Sequence, residues 1–207
     1  NNIKHVVAIM SGKGGVGKSS VTALLATALR RRGFKVGVLD ADITGPSIPR
    51  LFGVHHRPEI SEVGMFPSQS ETGIEIMSLN LLLEQEDDPV IWRGPLIGGA
   101  VKQFWTDVIW GELDYLLIDL PPGTGDSPLT VMQIFPLDGI VIVTSPQELA
   151  NMVVKKAIKM AGKMQIPIIG LAENMSYAVC PHCKERWELF GPGRGASVAK
   201  DSNIAFL

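Results

Sequence analysis

The sequence predicts an α/β fold, with a doubly wound, mostly parallel sheet and helices on both faces, as one domain over residues 1–207. Short apolar runs alternate with longer amphipathic stretches, the rhythm of repeated βαβ units. The runs are apolar at almost every position, which is typical of strands covered on both faces. With 207 residues, 45% of them hydrophobic, the chain is long enough for one large core.

Five apolar runs predict buried strands: Val6–Met10, Val36–Leu39, Tyr115–Ile118, Ile140–Val143 and Ile168–Leu171. Ile74–Leu79 predicts a further strand, and Ile204–Leu207 the start of another. Helical spacing predicts helices over 21–29, where Gly33 ends the pattern, over 96–110 and over 153–164. The stretch 53–73 is rich in Gly, Pro and Ser and has no period, so we expect a loop there.

Charge and cysteine content exclude several classes of function. The 19 basic and 21 acidic residues leave a net charge of -2, which provides no general basic field for nucleic acid or anionic membrane. No run is long enough to cross a bilayer, no basic amphipathic helix is visible, and the amino end lacks secretory-signal features. Two cysteines cannot build a multi-disulfide scaffold, so we expect a cytoplasmic protein.

A glycine-rich segment between the first strand and the first helix carries the chemistry. Gly12, Gly17, Lys18 and Ser19 satisfy the pattern G-x-x-x-x-G-K-[ST]. Backbone N–H groups of such a loop surround phosphate oxygens, and the helix N-terminus adds partial positive charge. We therefore expect the cofactor-binding residues to be Gly12, Lys13, Gly14, Gly15, Val16, Gly17, Lys18, Ser19 and Ser20, with Lys18 on the phosphates and Ser19 on Mg²⁺.

A dinucleotide site is the alternative interpretation of the same loop. Gly12, Gly14 and Gly17 also satisfy G-x-G-x-x-G, and Asp40 ends the second strand where a ribose-binding acid would lie. Lys18 and Ser19 favour a triphosphate with Mg²⁺ instead, as does Asp119 at the end of a later apolar strand.

The loop resembles the deviant phosphate-binding loop of ParA/MinD-type ATPases, because Lys13 precedes the usual lysine. The resemblance implies that Lys13 reaches the triphosphate of a second subunit. Residues 39–47 are similar to the first switch of that group and residues 121–126 to the second. By this resemblance Asp42 orients the attacking water or its proton, Asp42 and Asp119 act on Mg²⁺ through water, and the catalytic residues are Lys13, Lys18, Asp42 and Asp119.

Both cysteines of the chain lie in one Cys-x-x-Cys motif, Cys180 and Cys183, inside a segment near 175–192. A thioredoxin-like redox pair would lie at the head of a helix, which the polar surroundings disfavour. A zinc knuckle within one chain lacks four ligands, and it prefers glycine where Lys184 stands. Two chains about a two-fold axis would supply four thiolates, for a [4Fe–4S] cluster or equally for zinc. We expect His182, Lys184 and Arg186 to lower the thiol pKa values.

Residues 173–183 closely resemble the Mrp/ApbC-type iron–sulfur cluster carrier ATPases, as do residues 92–95, 119–126 and 144–147. The resemblance runs from about Lys4 to Leu207. It implies a cytoplasmic homodimeric ATPase of slow turnover that holds a labile [4Fe–4S] cluster between its subunits and delivers it to apo iron–sulfur proteins, without nucleic acid or membrane partners. It also implies that Asn174 reads the adenine edge, while Arg93 receives no role.

The chain departs from that family at Asn151, where many relatives have Asp, and it lacks the amino-terminal four-cysteine extension of some eukaryotic relatives. It also stops at Leu207, before a segment that helps to enclose adenine in relatives. Two other functions stay open: a ParA/MinD-like regulatory ATPase, and a zinc-bridged dimeric nucleotide-binding protein.

Overall fold

Eleven strands and six helices are present in the computed structural model, which describes residues 1–43, 45–83, 94–147 and 150–207. The strands are β1 (Asn2–Ser11), β2 (Val36–Asp40), β3 (Glu59–Ser61), β4 (Gly64–Phe66), β5 (Ser68–Gln69), β6 (Glu75–Ser78), β7 (Glu112–Asp119), β8 (Gly139–Thr144), β9 (Ile168–Glu173), β10 (Ala178–Val179) and β11 (Arg186–Trp187). The helices are α1 (Lys18–Arg31), α2 (Ile48–Phe52), α3 (Gly94–Thr106), α4 (Asp126–Ile134), α5 (Ala150–Lys163) and α6 (Gly195–Asp201), with a 3₁₀ turn at Leu79–Leu82.

The central sheet has the strand order β5-β6-β2-β7-β1-β8-β9 and is parallel except for the edge strand β5. All six strands predicted from the longer apolar runs lie in it. Strand β7 separates β1 from β2, and Asp119 is level with Ile9 on one side and with Asp40 on the other. This register places the ends of all three strands at one edge of the sheet, the usual ligand edge of doubly wound folds.

Two apolar layers cover the sheet, one on each face. Alternate residues of β1 enter different layers: Ala8 and Met10 face one, and Val7 and Ile9 the other. Because both faces are buried, the strands lack the alternation of polar and apolar residues, as the sequence predicts.

The stretch 53–73 is not the continuous loop that the sequence predicts. It contains β3 and β4, an antiparallel pair with Ser61 level with Gly64, and the edge strand β5. The exposed strand β3 shows no apolar pattern that could indicate it. Met65 fixes the pair to the domain, since its N–H donates to the Asp107 carbonyl (2.9 Å) and its carbonyl accepts from Ile109 N–H (2.8 Å).

Two other expectations also need correction. The helix expected over 96–110 is α3, which ends at Thr106, and the following Trp110 is buried in the core with 1% exposure. Ile204–Leu207 forms no strand but a single parallel bridge between Leu171 and Phe206, because only two hydrogen bonds join it to Leu171. Trp92 and Arg93 of the family-like segment lie outside the described residues.

Candidate nucleotide site and cysteine hairpin

The phosphate loop connects β1 directly to α1. Gly15 and Gly17 have φ values of 82° and 81°, in the left-handed region that side chains resist, and Gly17 caps the helix that begins at Lys18. Gly12 is needed for packing, because a Cβ there would overlap the side chain of Val153 on α5. The loop therefore runs directly into the N-terminus of α1. Free backbone N–H groups at such a terminus can bind an anion.

Asp119 is the centre of a buried polar cluster behind the loop. Lys18 Nζ lies 2.7 Å from Asp119 Oδ2, and Ser19 Oγ donates to the same oxygen at 2.5 Å. Thr22 Oγ1 donates to Asp119 Oδ1 at 2.8 Å. Asp119 is fully buried and Lys18 is 6% exposed, so the two charges compensate one another in a region of low dielectric. The hydroxyl of Ser19 and this carboxylate are hard oxygen donors side by side, a set that fits Mg²⁺.

Asp40 organises the segment that follows β2. Its Oδ1 accepts from Asp42 N–H (3.1 Å), and its Oδ2 accepts from Ser47 N–H (2.9 Å) and Ile48 N–H (3.0 Å). Burial, together with the negative charge of Asp119, raises the pKa of Asp40 to about 7. Because Asp40 is 1% exposed and bonded to the backbone through both oxygens, it is not placed to bind a ribose. This geometry counts against the dinucleotide interpretation.

The segments after β2 and β7 are tied to the same strand ends. Ala41 N–H donates to the Asp119 carbonyl (3.0 Å), and Gly123 N–H donates to the Ser11 carbonyl (2.9 Å). Asp42 lies beside the loop, with Oδ2 4.0 Å from Lys18 Nζ. Thr44, which belongs to the first of these segments, lies outside the described residues.

The remaining residues of the loop differ in exposure. Lys13, Gly14, Gly15 and Ser20 are exposed, whereas Val16 is buried. Lys13 has no carboxylate within 4.0 Å in the described part of the chain, and its carbonyl accepts from Ser11 Oγ (2.9 Å). Lys13 is therefore exposed and forms no ion pair in this part of the chain, and its predicted reach to a second subunit stays a prediction.

Asn174 lies against the phosphate loop, immediately after β9. Its Nδ2 donates to the Val16 carbonyl (3.0 Å), and its Oδ1 accepts from Met175 N–H (2.9 Å). A Cβ on Gly17 would overlap this amide. The structure thus places Asn174 beside the nucleotide loop, while its role in reading adenine stays a prediction.

The cysteines lie in the turn of the antiparallel hairpin β10–β11. Cys180 N–H donates to the Glu185 carbonyl (2.9 Å), and Lys184 N–H donates to the Cys180 carbonyl (3.0 Å). Lys184 has φ 63°, the left-handed conformation that the sequence analysis reserved for glycine. Lysine therefore does not prevent the left-handed turn, because the hairpin bonds hold Lys184 in this conformation, while the knuckle itself stays a prediction.

Hydrogen bonds lower the pKa of the Cys180 thiol, first from the backbone of Cys183, then from that of His182, and then from the Cys183 side chain. Positive charge on His182, Lys184 and Arg186, which was expected to lower this pKa, is not among its causes. The Arg186 guanidinium packs on the Tyr177 ring, 4.5 Å from the ring centre. Cys180 is half-buried and Cys183 exposed. Among the described residues no three His, Cys, Asp or Glu side chains form a metal site, so the pair offers two thiolates.

Helix α5 carries a basic surface that the sequence analysis missed. Lys155, Lys156, Lys159 and Lys163 are exposed, while the opposite side of the helix packs into the core. The apolar positions of this helix predicted the helix itself, but the lysines between them were not assigned to a surface. None of the helices in the described ranges is long and apolar enough to cross a membrane.

Thr22 and Glu173 are site residues that the sequence analysis did not assign. Thr22 lies one turn after Lys18 on the same face of α1, and this spacing is the one feature of the sequence that could have indicated its role. Glu173 Oε2 accepts from Arg194 N–H (2.9 Å) and Gly195 N–H (2.6 Å) at the start of α6. The position of Glu173 at the end of β9 could have indicated that it is a site residue.

Comparison with known proteins gives one family. A family model described as ParA, NUBPL iron-transfer P-loop NTPase, matches residues 2–207. An iron-sulfur cluster carrier protein of Methanocaldococcus jannaschii is 54% identical over 209 residues, covering 100% of this chain and 72% of that protein. The protein of the same description from Clostridium perfringens is 52% identical over 197 residues. The matched region covers 91% of this chain and 69% of that protein.

Two solved structures are similar to this chain. The nucleotide-binding protein from Archaeoglobus fulgidus, in complex with ADP and with Co found in it, has a TM-score of 0.89 and 50% identity over 99% of this chain and 80% of that chain. The cell division ATPase MinD of Pyrococcus furiosus has a TM-score of 0.68 at 19% identity, over 98% of this chain and 81% of that chain. The second likeness concerns the fold alone.

Proposed function

Since this chain belongs to the ParA family of NUBPL-type iron-transfer P-loop NTPases, we propose that it is an ATP-hydrolysing carrier of a labile [4Fe–4S] cluster. The cluster is held between two copies of the chain and passed to apo iron–sulfur proteins. The single observation that carries the proposal is one exposed hairpin with two thiolate donors on the same domain as a phosphate loop.

The phosphate loop accounts for the nucleotide part of the proposal. Backbone N–H groups of residues 12–17 and the N-terminus of α1 surround the phosphates, and Lys18 moves from Asp119 to the β and γ phosphate oxygens. Ser19 and Asp119 would hold Mg²⁺, and the ion would supply positive charge that offsets the charge of the phosphates. ADP in the Archaeoglobus fulgidus relative supports a nucleotide at this loop.

Hydrolysis requires a positioned water and neutralisation of charge on the transferred phosphoryl group. Asp42, close to Lys18, accepts a hydrogen bond from the attacking water and orients it. Lys13 is exposed and supplies charge to the nucleotide of the other copy, so hydrolysis depends on pairing of two chains. Slow turnover follows if this pairing limits the rate.

The cysteine hairpin accounts for the cargo. One chain contains only Cys180 and Cys183, while a [4Fe–4S] cluster takes four thiolates. Two hairpins about a two-fold axis provide them. Cys183 is exposed and Cys180 half-buried, which leaves the cluster open to an acceptor protein on the side of Cys183, as transfer requires. The cobalt in the Archaeoglobus fulgidus relative supports the capacity of such a protein for a transition metal.

The proposal includes the broader setting predicted from the sequence. Residues 1–207 act as one domain that carries the cysteine hairpin, in the cytoplasm, where thiols stay reduced. Apo iron–sulfur proteins are the recipients, and nucleic acid and membrane are not partners.

Anaerobic reconstitution with iron and sulfide tests the proposal. We expect broad visible absorbance and about four iron atoms per two chains, with both lost in Cys180→Ser. The control is Ser176→Ala, which leaves both thiols in place. Transfer is measured as recovered activity of an apo-enzyme that needs a [4Fe–4S] cluster. Retention of the same iron and absorbance by Cys180→Ser would contradict the cysteine bridge.

A zinc-bridged dimeric nucleotide-binding protein is the second candidate, and Lys184 is the observation that favours it. The left-handed conformation after the second cysteine is the one that a zinc knuckle uses. Metal analysis of protein purified without oxygen separates the two: stoichiometric zinc and no uptake of iron and sulfide would establish this candidate instead of the carrier.

A further inference from the structure

Asn174 joins the phosphate loop to the cysteine hairpin through the two ends of one side-chain amide. Its Nδ2 donates to the carbonyl of Val16, a buried residue of the loop. Its Oδ1 accepts from the N–H of Met175, the residue at which the chain turns toward the hairpin. A planar amide cannot move one end independently of the other, so the two bonds respond together.

Met175 holds a conformation that depends on this amide. Its φ of 61° lies in the left-handed region, which is unfavourable for a residue with a side chain. Its N–H bond to Asn174 helps to offset that cost. Three residues later β10 begins, and Cys180 follows it. The direction in which the hairpin leaves the domain is therefore set where Asn174 bonds to Met175.

The backbone of Asn174 is tied to the domain, which leaves its side-chain amide as the part that can move. Asn174 N–H donates to the Thr144 carbonyl at 2.9 Å, which ties it to the end of β8. Glu173 Oε1 accepts from Ser176 Oγ (2.9 Å), while its other oxygen caps α6. A displacement of the loop carbonyl thus reaches Met175 through the Asn174 side chain.

Gly17 provides the space that the contact needs. A Cβ there would overlap the Asn174 amide, so loop and amide are packed without a gap. Any change in the loop at Val16 or Gly17 when phosphates bind must displace the amide or break its bond to the Val16 carbonyl. Close packing makes such contacts respond in discrete steps rather than gradually.

We propose that Asn174 is a positioning residue that couples occupancy of the phosphate loop to the geometry of the cysteine hairpin. The inference rests on the proposed function, because it assumes a nucleotide at the loop and a metal at the cysteines. Linkage makes the coupling reciprocal, so metal at the hairpin changes nucleotide affinity by the same factor as nucleotide changes metal affinity.

The test measures that factor with ADP and Zn²⁺ alone, by calorimetric titration of ADP into protein with and without one equivalent of Zn²⁺ per two chains. We expect the Kd of the wild-type protein for ADP to change at least about fivefold on loading with Zn²⁺, within the usual range of coupling. Asn174→Asp keeps the oxygen that accepts from Met175 but removes the donor to Val16. In this variant the ratio of the two Kd values for ADP, without and with Zn²⁺, should fall below about twofold. This expectation holds whatever the absolute affinity for ADP.

Asn203→Asp serves as the matched control, since it makes the same change from amide to carboxylate at an exposed residue just after α6 and leaves both bonds of Asn174 in place. We expect it to retain the wild-type ratio. If the wild-type protein binds ADP and Zn²⁺ but with a ratio below about twofold, or if Asn174→Asp keeps the wild-type ratio, the coupling role is wrong and the carrier proposal is unaffected. If the wild-type protein binds neither, the proposed function itself fails.

Discussion

Removal of the Lys18 ammonium should unpair a fully buried carboxylate. Lys18→Met keeps most of the aliphatic volume but leaves Asp119, which is 0% exposed, without the cation 2.7 Å away. Breaking one side of a buried ion pair costs about 3–5 kcal/mol. Ser19 and Thr22 still donate to Asp119, so we expect the lower end, about 3 kcal/mol of unfolding free energy.

Urea unfolding of the ligand-free protein in EDTA at pH 7.5 measures this cost. A double-mutant cycle with Asp119→Asn isolates the pair, and we expect a coupling of about 2 kcal/mol, with the double variant more stable than the two single losses imply. Lys35→Met is the control, because the exposed pair of Lys35 and Glu112 at 3.4 Å should contribute less than about 0.5 kcal/mol. A Lys18–Asp119 coupling below about 0.5 kcal/mol would refute the view that this buried pair holds the site together before nucleotide binds.

Three further predictions concern other parts of the chain. Burial raises the pKa of Glu75 to about 7, and its Oε2 is buried without a hydrogen-bond partner in the described residues, so stability should fall as pH rises from about 4.5 to 7. Glu75→Gln should remove that fall and stabilise the protein at pH 8 by about 1 kcal/mol after allowance for solvent screening, with no gain at pH 5; equal effects at both pH values in urea unfolding would contradict it. Gly17→Ala should lower Tm and weaken ADP binding at least tenfold, since φ is 81° and the new Cβ would overlap Asn174, whereas Gly162→Ala on α5, where a Cβ meets nothing within 4 Å, should leave both unchanged or raise Tm slightly. Lys184→Gly should raise the free energy of unfolding by about 1 kcal/mol in urea and leave Zn²⁺ affinity unchanged, because glycine adopts the left-handed conformation of the metal-free hairpin without that cost; a lower free energy of unfolding would show that the lysine side chain itself stabilises the hairpin.

The positions of Lys18 and Asp119 could be predicted from the sequence. Lys18 belongs to a glycine motif of fixed spacing, and Asp119 stands at the end of an apolar run that predicts a strand. Register then brings Asp119 level with Asp40, a pairing that no local pattern encodes. Thr22 could not be found in the same way, since a helical threonine has no distinctive signal until the partner strand is placed.

The cysteine hairpin β10–β11 could not be predicted from the sequence. Its strands have two residues each, too short for any hydrophobic period. The argument from glycine preference failed at Lys184 because a local propensity of about 1 kcal/mol is smaller than the hydrogen bonds that close the turn. Tertiary contacts likewise ended α3 earlier than its apolar pattern suggests, where Trp110 enters the core.

Native mass spectrometry of the anaerobically reconstituted protein tests most directly whether two chains share one cluster. The account predicts a particle with the mass of two chains plus four iron and four sulfide, and separate chains without iron in Cys180→Ser. A single chain that carries a complete cluster, or two chains that carry two clusters, would contradict it.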